Sequence, residues 1–272
     1  MLDNPRSPRV RGVAKLRKRD ARSETGLFLL EGPQAVSEAL AWRPELLQEL
    51  YATPTALERH ADLAAAAEEA DVTVEFVTEQ VLEAMADTVT PQGVVAVCRQ
   101  FPVSVKDLLS DGPRLVVVLE EVRDPGNAGT IIRAADAAGA DGVIFSGRTV
   151  DLYNPKVVRS TTGSLFHIPV AVGAEFPALR ERLRDAGLNV LAADIKGDDL
   201  LAARQEGVLS QPTAWLFGNE ARGLSDDYLA LADRAVSVPI YGRAESMNLA
   251  TAASVCLYES AFAQRSSSVT NK

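Results

Sequence analysis

Residues 115–133 read LVVVLEEVRDPGNAGTIIR, and this stretch decides the fold. Its opening run, 115–119, is the most hydrophobic strand candidate in the chain and shows no polar alternation. That is the pattern of a parallel strand buried on both faces. The run gives way to a polar turn, Glu120-Glu121-Val122-Arg123-Asp124-Pro125-Gly126-Asn127, and then to an alanine-rich helix. The spacing places Arg133 about one turn into that helix. Strand, glycine-bearing loop and helix in succession mark an α/β unit. In open sheets of this kind ligands bind at the carboxyl ends of the strands, so the loop is a site candidate.

Working outward, strands are expected at 142–145, 168–172, 188–193, 214–217 and 235–239, with helices between them and a long one over 246–262. Upstream, strands at 27–30, 47–51, 72–77 and 93–98 alternate with helices at 33–40, 55–70 and 79–86, which makes a second, smaller α/β unit. Residues 101–113 hold two prolines and a glycine in mixed polarity and read as the linker. The expected order is a basic arm over 1–22, a small domain over 23–100, a linker over 101–113, a larger domain over 114–263 and a disordered Ser-rich tail over 264–272.

The charge is uneven. The 272 residues carry a formal net charge of −9, yet residues 1–22 hold eight basic side chains against Asp3 and Asp20, a balance of +6. A basic arm on an acidic body can dock a polyanion locally, so Arg9, Arg11, Lys15, Arg17, Lys18 and Arg19 are candidates for contacts to the phosphates of a nucleic-acid partner. With 47% hydrophobic and 24% charged residues the composition is that of a globular protein. No apolar run reaches the roughly 20 residues of a membrane span, and the charged N-terminus lacks the apolar stretch of a signal peptide. No membrane association and a cytoplasmic location are therefore expected. Cys98 and Cys256 lack CxxC partners, and His60 and His167 are the only histidines. Metal sites and a Ser-His-Asp triad are disfavoured accordingly.

Two further loops interrupt the second domain. Residues 216–225, LFGNEARGLS, end a strand on Gly218 and place Glu220 between two glycines, with Ser225 as a helix N-cap. Residues 238–253, VPIYGRAESMNLATAA, lead into the last helix, with Ser246 as its expected N-cap and Asn248 in its first turn. Taken singly, each loop reads equally as a tight turn with solvated polar residues. None is a Walker loop or a dinucleotide-binding GxGxxG.

Together and in this order, DPGNAGTIIRAADAAGADGVIF, FGNEARGLS and VPIYGRAESMNLATAASVCLYE resemble the three motifs of the SpoU class of SPOUT RNA methyltransferases. The likeness spans roughly 114–262. The preceding segment, from RVRGVAKLRKRDARSETGLFLLEGPQAVSEAL onward, resembles the L30e-like substrate-binding domain of the family's rRNA enzymes.

The resemblance implies a SPOUT-type parallel sheet with a deep trefoil knot, a homodimer, and transfer of a methyl group from S-adenosylmethionine to an RNA ribose 2′-hydroxyl, with rRNA of the large subunit as target. It implies cofactor contacts at Gly218, Val238 and Met247, and polar active-site positions at Asn127, Arg133, Glu220, Ser246 and Asn248. Met247 stands where many relatives have Leu, a swap close in volume. In the segment NPKVVRSTTGS, residues 154–164, Arg159 matches a basic position and is an RNA-phosphate candidate, while His167 reads as a packed or capping residue. A tRNA target, a ribosome-directed resistance enzyme and a catalytically silent RNA-binding scaffold remain as alternatives. A nucleotide-binding metabolic enzyme lacks its phosphate-loop signature.

Overall fold

The computed structural model describes residues 1–269, with side chains as far as Ser266. The chain forms two units. One comprises Met1–Phe101 together with Asp151–His167, and the other comprises Pro102–Val150 and the chain from Ile168 onward. Residues 151–167, expected within the larger domain, thus group with the smaller one.

The first unit is built on four strands, β1 (Leu27–Glu31), β2 (Leu47–Ala52), β3 (Val74–Phe76) and β4 (Val94–Arg99), in the order β1-β4-β2-β3. β4 runs antiparallel to both neighbours, and β2 and β3 are parallel. The single helix expected over 55–70 is two, Pro54–Arg59 and Ala61–Glu69, because His60 sits at φ −125°, ψ 60° and breaks the first one.

The expected arm is not an arm. It folds as two helices, Pro8–Lys15 and Arg19–Thr25, the first capped by Ser7. Val10, Val13 and Leu16 are buried against Val77, Val81, Leu82 and Met85. Three apolar residues at three-residue spacing make a helix face, and the eight surrounding cations hid it from a reading by composition. Arg22 is only 2% exposed. It donates to the carbonyls of Leu16 and Arg17 at 2.8 and 2.9 Å, and through Nε to Asp151 at 3.0 Å.

The second unit carries β5 (Leu115–Glu120), β6 (Gly142–Ser146), β7 (Val170–Ala174), β8 (Asn189–Asp199), β9 (Thr213–Phe217) and β10 (Arg234–Ser237). Their order is β10-β8-β9-β5-β6-β7, and every pairing is parallel. All residues of β5 are buried, as its unbroken hydrophobicity predicts. The expected linker is part of this unit. Val103 bridges Ala171, Ser104 caps the helix Val105–Leu109, and Val105 and Leu108 enter the core beside Val116 and Ile144. The prolines and glycine that marked a linker flank this short helix instead of interrupting it.

The last helix runs Leu249–Val269. Its start is set by Asn248, whose side-chain oxygen accepts from Thr251 N at 3.2 Å, so Ser246 is not the N-cap. Residues 264–269 continue this helix where a disordered tail was expected, and residues 270–272 lie outside the described residues. No helix among the described residues is long and apolar enough to cross a membrane.

Candidate active site

The three motif loops leave the carboxyl ends of β5, β9 and β10. After β5, the chain turns through Glu121 at φ +51°, and Asp124 caps the helix Pro125–Ala138 by accepting from Asn127 N at 2.8 Å. Because the cap is Asp124, Arg133 lies roughly two turns into the helix, not one, and its side chain is exposed.

Glu220, on the loop after β9, reaches back to this turn. One carboxylate oxygen accepts from Arg123 N at 3.1 Å. The other accepts from Asp124 N at 3.0 Å and from Asn127 Nδ2 at 3.3 Å. Asn127 Oδ1 in turn accepts from Asn248 Nδ2 at 3.0 Å. One residue from each motif thus joins in a single bonded chain, Glu220–Asn127–Asn248, and the amide of Asn127 is oriented by an acceptor on one side and a donor on the other.

The loop after β9 is itself braced. Asn219 Oδ1 accepts from Ala221 N and Arg222 N at 3.0 and 3.2 Å, its Nδ2 donates to Glu121 O at 2.9 Å, and Arg222 pairs with Glu121 at 2.7 Å. Gly218 permits this close fold: a Cβ there would lie 2.7 Å from both Gly223 C and Leu224 Cγ.

A cavity of about 910 Å³ opens between these loops. Gly218, Val238 and Met247 line it, as do Asn127, Glu220, Ser246 and Asn248. Arg133 is not among its described lining residues. Sequence reasoning missed the wall formed by Asp194, Ile195 and Lys196. They lie on the polar continuation of β8, whose pairing with β10 runs on to Asp199, whereas hydrophobicity alone ended the strand at 193. The only signal was Gly197, where a Cβ would come within 2.4 Å of Val236 N.

The volume suits a cofactor-sized ligand. The lining combines apolar Leu224, Leu229, Val236 and Leu249 with polar Asp194, Lys196 and Asn219, a mixture that fits S-adenosylmethionine, with its flat adenine and its charged amino-acid end. Beneath the site, Glu120 is 3% exposed at the end of β5. Burial pushes its carboxyl above the ordinary range; Ser146 opposes the shift, while Glu121 and Glu175 add to it.

The RNA-phosphate candidates divide. Arg11, Lys15, Lys18 and Arg19 are exposed. Arg9 pairs with Glu49 and Glu75 at 3.2 and 2.6 Å, and Arg17 donates to the carbonyls of Ala14, Ala84 and Ala86. Arg159 pairs with Glu31 and Asp87 at 3.0 and 2.9 Å. His167 Nε2 lies 3.1 Å from Glu38.

Comparison with known proteins gives the class, and then the family. Residues 29–103 match the description "RNA 2′-O ribose methyltransferase substrate binding", and residues 114–258 match the "SpoU rRNA Methylase family". The chain is 34% identical over 257 residues to the 23S rRNA (guanosine(2553)-2′-O)-methyltransferase RlmP of Bacillus subtilis, covering 94% of this chain and 97% of that one. An AdoMet-bound rRNA methyltransferase from Sinorhizobium meliloti superimposes with a TM-score of 0.80 at 33% identity, over 95% of this chain and 96% of that one. The SpoU methyltransferase AviRb of Streptomyces viridochromogenes, in complex with AdoMet, gives 0.79 at 32% identity over 96% and 99%. The protein is an RNA methyltransferase. It belongs to the SpoU rRNA methylase family.

Proposed function

We propose that the chain transfers the methyl group of S-adenosylmethionine to a ribose 2′-hydroxyl of large-subunit (23S) rRNA. The observation that carries this reading is the Glu220–Asn127–Asn248 chain at a cavity lined by Gly218, Val238 and Met247, in a member of an rRNA methylase family. When bound, S-adenosylmethionine supplies an activated methyl on a sulfonium whose leaving group is a neutral thioether. No acid is then needed for departure, and orientation of the hydroxyl supplies much of the rate.

Glu220, with its oxygens taken up by three donors, fixes the loop after β5. Asn127 and Asn248 present a preset amide pair to the incoming ribose. Ser246, exposed on the cavity lining, accepts a hydrogen bond from the 2′-hydroxyl, whose proton passes to solvent water as the oxygen takes the methyl group. Arg133 acts on the RNA side. A guanidinium keeps its proton in proteins, so Arg133 holds phosphate or ribose and stabilises developing negative charge.

A 2′-hydroxyl stands on every nucleotide, so target choice falls to the first unit. Its phosphate contacts come from Arg11, Lys15, Lys18 and Arg19; Arg9, Arg17 and Arg159 hold the unit together. A large-subunit target is favoured over tRNA because RlmP of Bacillus subtilis, matched over 94% of this chain, and RlmB of Bordetella pertussis, matched over 85%, are named for 23S rRNA. By contrast, the solved protein titled for methylation of C/U34 on tRNA covers only 57% of this chain while 99% of its own length is matched. The enzyme is proposed to work as a cytoplasmic homodimer.

Incubation with methyl-labelled cofactor and separate 23S rRNA, 16S rRNA and tRNA pools, followed by mapping of ribose methylation, tests the reading. Label is expected in one 23S nucleotide. Cofactor binding without incorporation into any RNA would leave a silent RNA-binding scaffold.

A further inference from the structure

The segment from Val238 to Asn248 is an arch whose two feet stand on the cavity. Val238 and Ile240 line it at one end, and Ser246, Met247 and Asn248 at the other. Between the feet, residues 241–245 are all exposed. The arch carries Tyr241, whose side chain is 85% exposed, and Arg243, and neither has a hydrogen-bond or ion-pair partner among the described residues. An aromatic ring held out in water gains nothing for the fold, since burial is what makes such rings stabilising. Among the described lining residues the only aromatic ring is that of Phe217, which is wholly buried at the end of β9 and offers no open face.

We propose that Tyr241 and Arg243 form the subsite for the target nucleotide, with the base stacked on the Tyr241 ring and a neighbouring phosphate held by Arg243. This rests on the assignment of the cavity to the methyl donor and of an RNA ribose to its mouth. To bring a 2′-oxygen in line with a methyl group, the nucleotide must leave its helical stack, and an unstacked base is stabilised by an aromatic face. Tyr241, next in the chain to the cavity-lining Ile240, supplies that face, and Arg243 adds the cation such sites combine with it. Stacking is tolerant of base identity. The subsite therefore fixes the geometry of the reacting nucleotide and leaves the choice of site to the first unit.

The test uses the full-length protein, a 23S rRNA transcript and the variants Tyr241→Ala, Tyr241→Phe and Arg243→Ala. Tyr241→Ala is expected to raise the Kd and KM for RNA about tenfold, the scale of one base–aromatic stack, while Tyr241→Phe stays near the wild type. Calorimetric binding of S-adenosylmethionine alone stays unchanged in both. Arg243→Ala is expected to lower the slope of log Kd against log salt by about 0.7, one single-strand phosphate contact.

An RNA Kd unaltered by Tyr241→Ala would overturn the proposal. So would equal losses in the Phe and Ala variants, which would assign the effect to the hydroxyl. A Tyr241→Ala variant with altered gel-filtration elution would assign the ring to contact with a second copy and overturn it likewise. If the wild type methylates no rRNA, the functional reading fails, and equilibrium binding of the transcript still decides the subsite by itself.

Discussion

Asn127 has a side-chain amide held at both ends. Its amide nitrogen faces Glu220 and its oxygen faces Asn248. Asn127→Asp replaces the donor by an oxygen and sets two carboxylates against each other, at almost unchanged volume. Turnover is expected to fall by about 10²-fold, the scale of a small misplacement of reacting groups, with S-adenosylmethionine affinity nearly retained; single-turnover kinetics and calorimetry separate the two. A buried acid close by gives a prediction about stability. The Glu120 carboxyl is held above its ordinary range, chiefly by burial. The folded state therefore keeps a proton that the unfolded chain releases as pH rises past the ordinary carboxylate range, and stability is lost over that window. Below that window Glu120 and a neutral Gln are equivalent. Glu120→Gln is accordingly expected to melt above the wild type at pH 8, with the difference vanishing near pH 4, as read by thermal denaturation at the two pH values.

At the scale of elements, the buried strands were legible because hydrophobicity without alternation has one simple explanation in an α/β chain, a strand covered on both faces. β5 and β9 fall close to their expected ranges for that reason. Elements whose identity depends on a few apolar residues among charges were not legible. The helix Pro8–Lys15 was hidden by its cations, the polar half of β8 by its acids, and the start of the last helix by two competing cap residues, Ser246 and Asn248. At the site, the motifs named Asn127, Glu220 and Asn248, which the fold joins, and Arg133, which is not among the described lining residues, whereas the Ile195 wall carried no sequence signal beyond Gly197.

Two predictions belong to this scale. Gly218→Ala drives a methyl group into the backbone of Gly223 at 2.7 Å. The loop after β9 must shift, and affinity for S-adenosylmethionine is expected to fall at least about tenfold, a loss of the size one displaced contact produces. Neutralising Lys15, Lys18 and Arg19 together, which are exposed on the first unit, should leave the melting temperature unchanged and lower the salt slope of RNA binding by about 2. Truncating residues 1–22 instead removes Val10, Val13 and Leu16 from the core, so loss of RNA binding in that variant would report unfolding.

For the whole molecule, the two domains were readable from the restart of the strand–helix rhythm at β5, but their membership was not. Residues 151–167 interrupt the second unit in sequence and complete the first in space, and no local pattern announces a long-range exchange of that kind. The exchange is held by charge and packing. Arg22, buried, meets Asp151; Arg159 meets Glu31 and Asp87; and the Tyr153 ring lies 4.7 Å from that of Phe28. Asp151→Ala leaves the Arg22 guanidinium buried with only carbonyl partners. Removing one side of a buried ion pair costs about 3 kcal/mol or more, and the cost should be confined to the unit that contains the pair. Hydrogen exchange measured strand by strand is the direct readout. Amides of β1 and β4 are expected to lose protection in Asp151→Ala, while those of β5 and β9 exchange as in the wild type. Saturating S-adenosylmethionine should raise protection in β9 by binding only the folded second unit and leave the loss in β1 unrepaired. Equal loss in both sheets would show that the segment stabilises the chain as one cooperative body, and the assignment of 151–167 to the first unit would then have no energetic meaning.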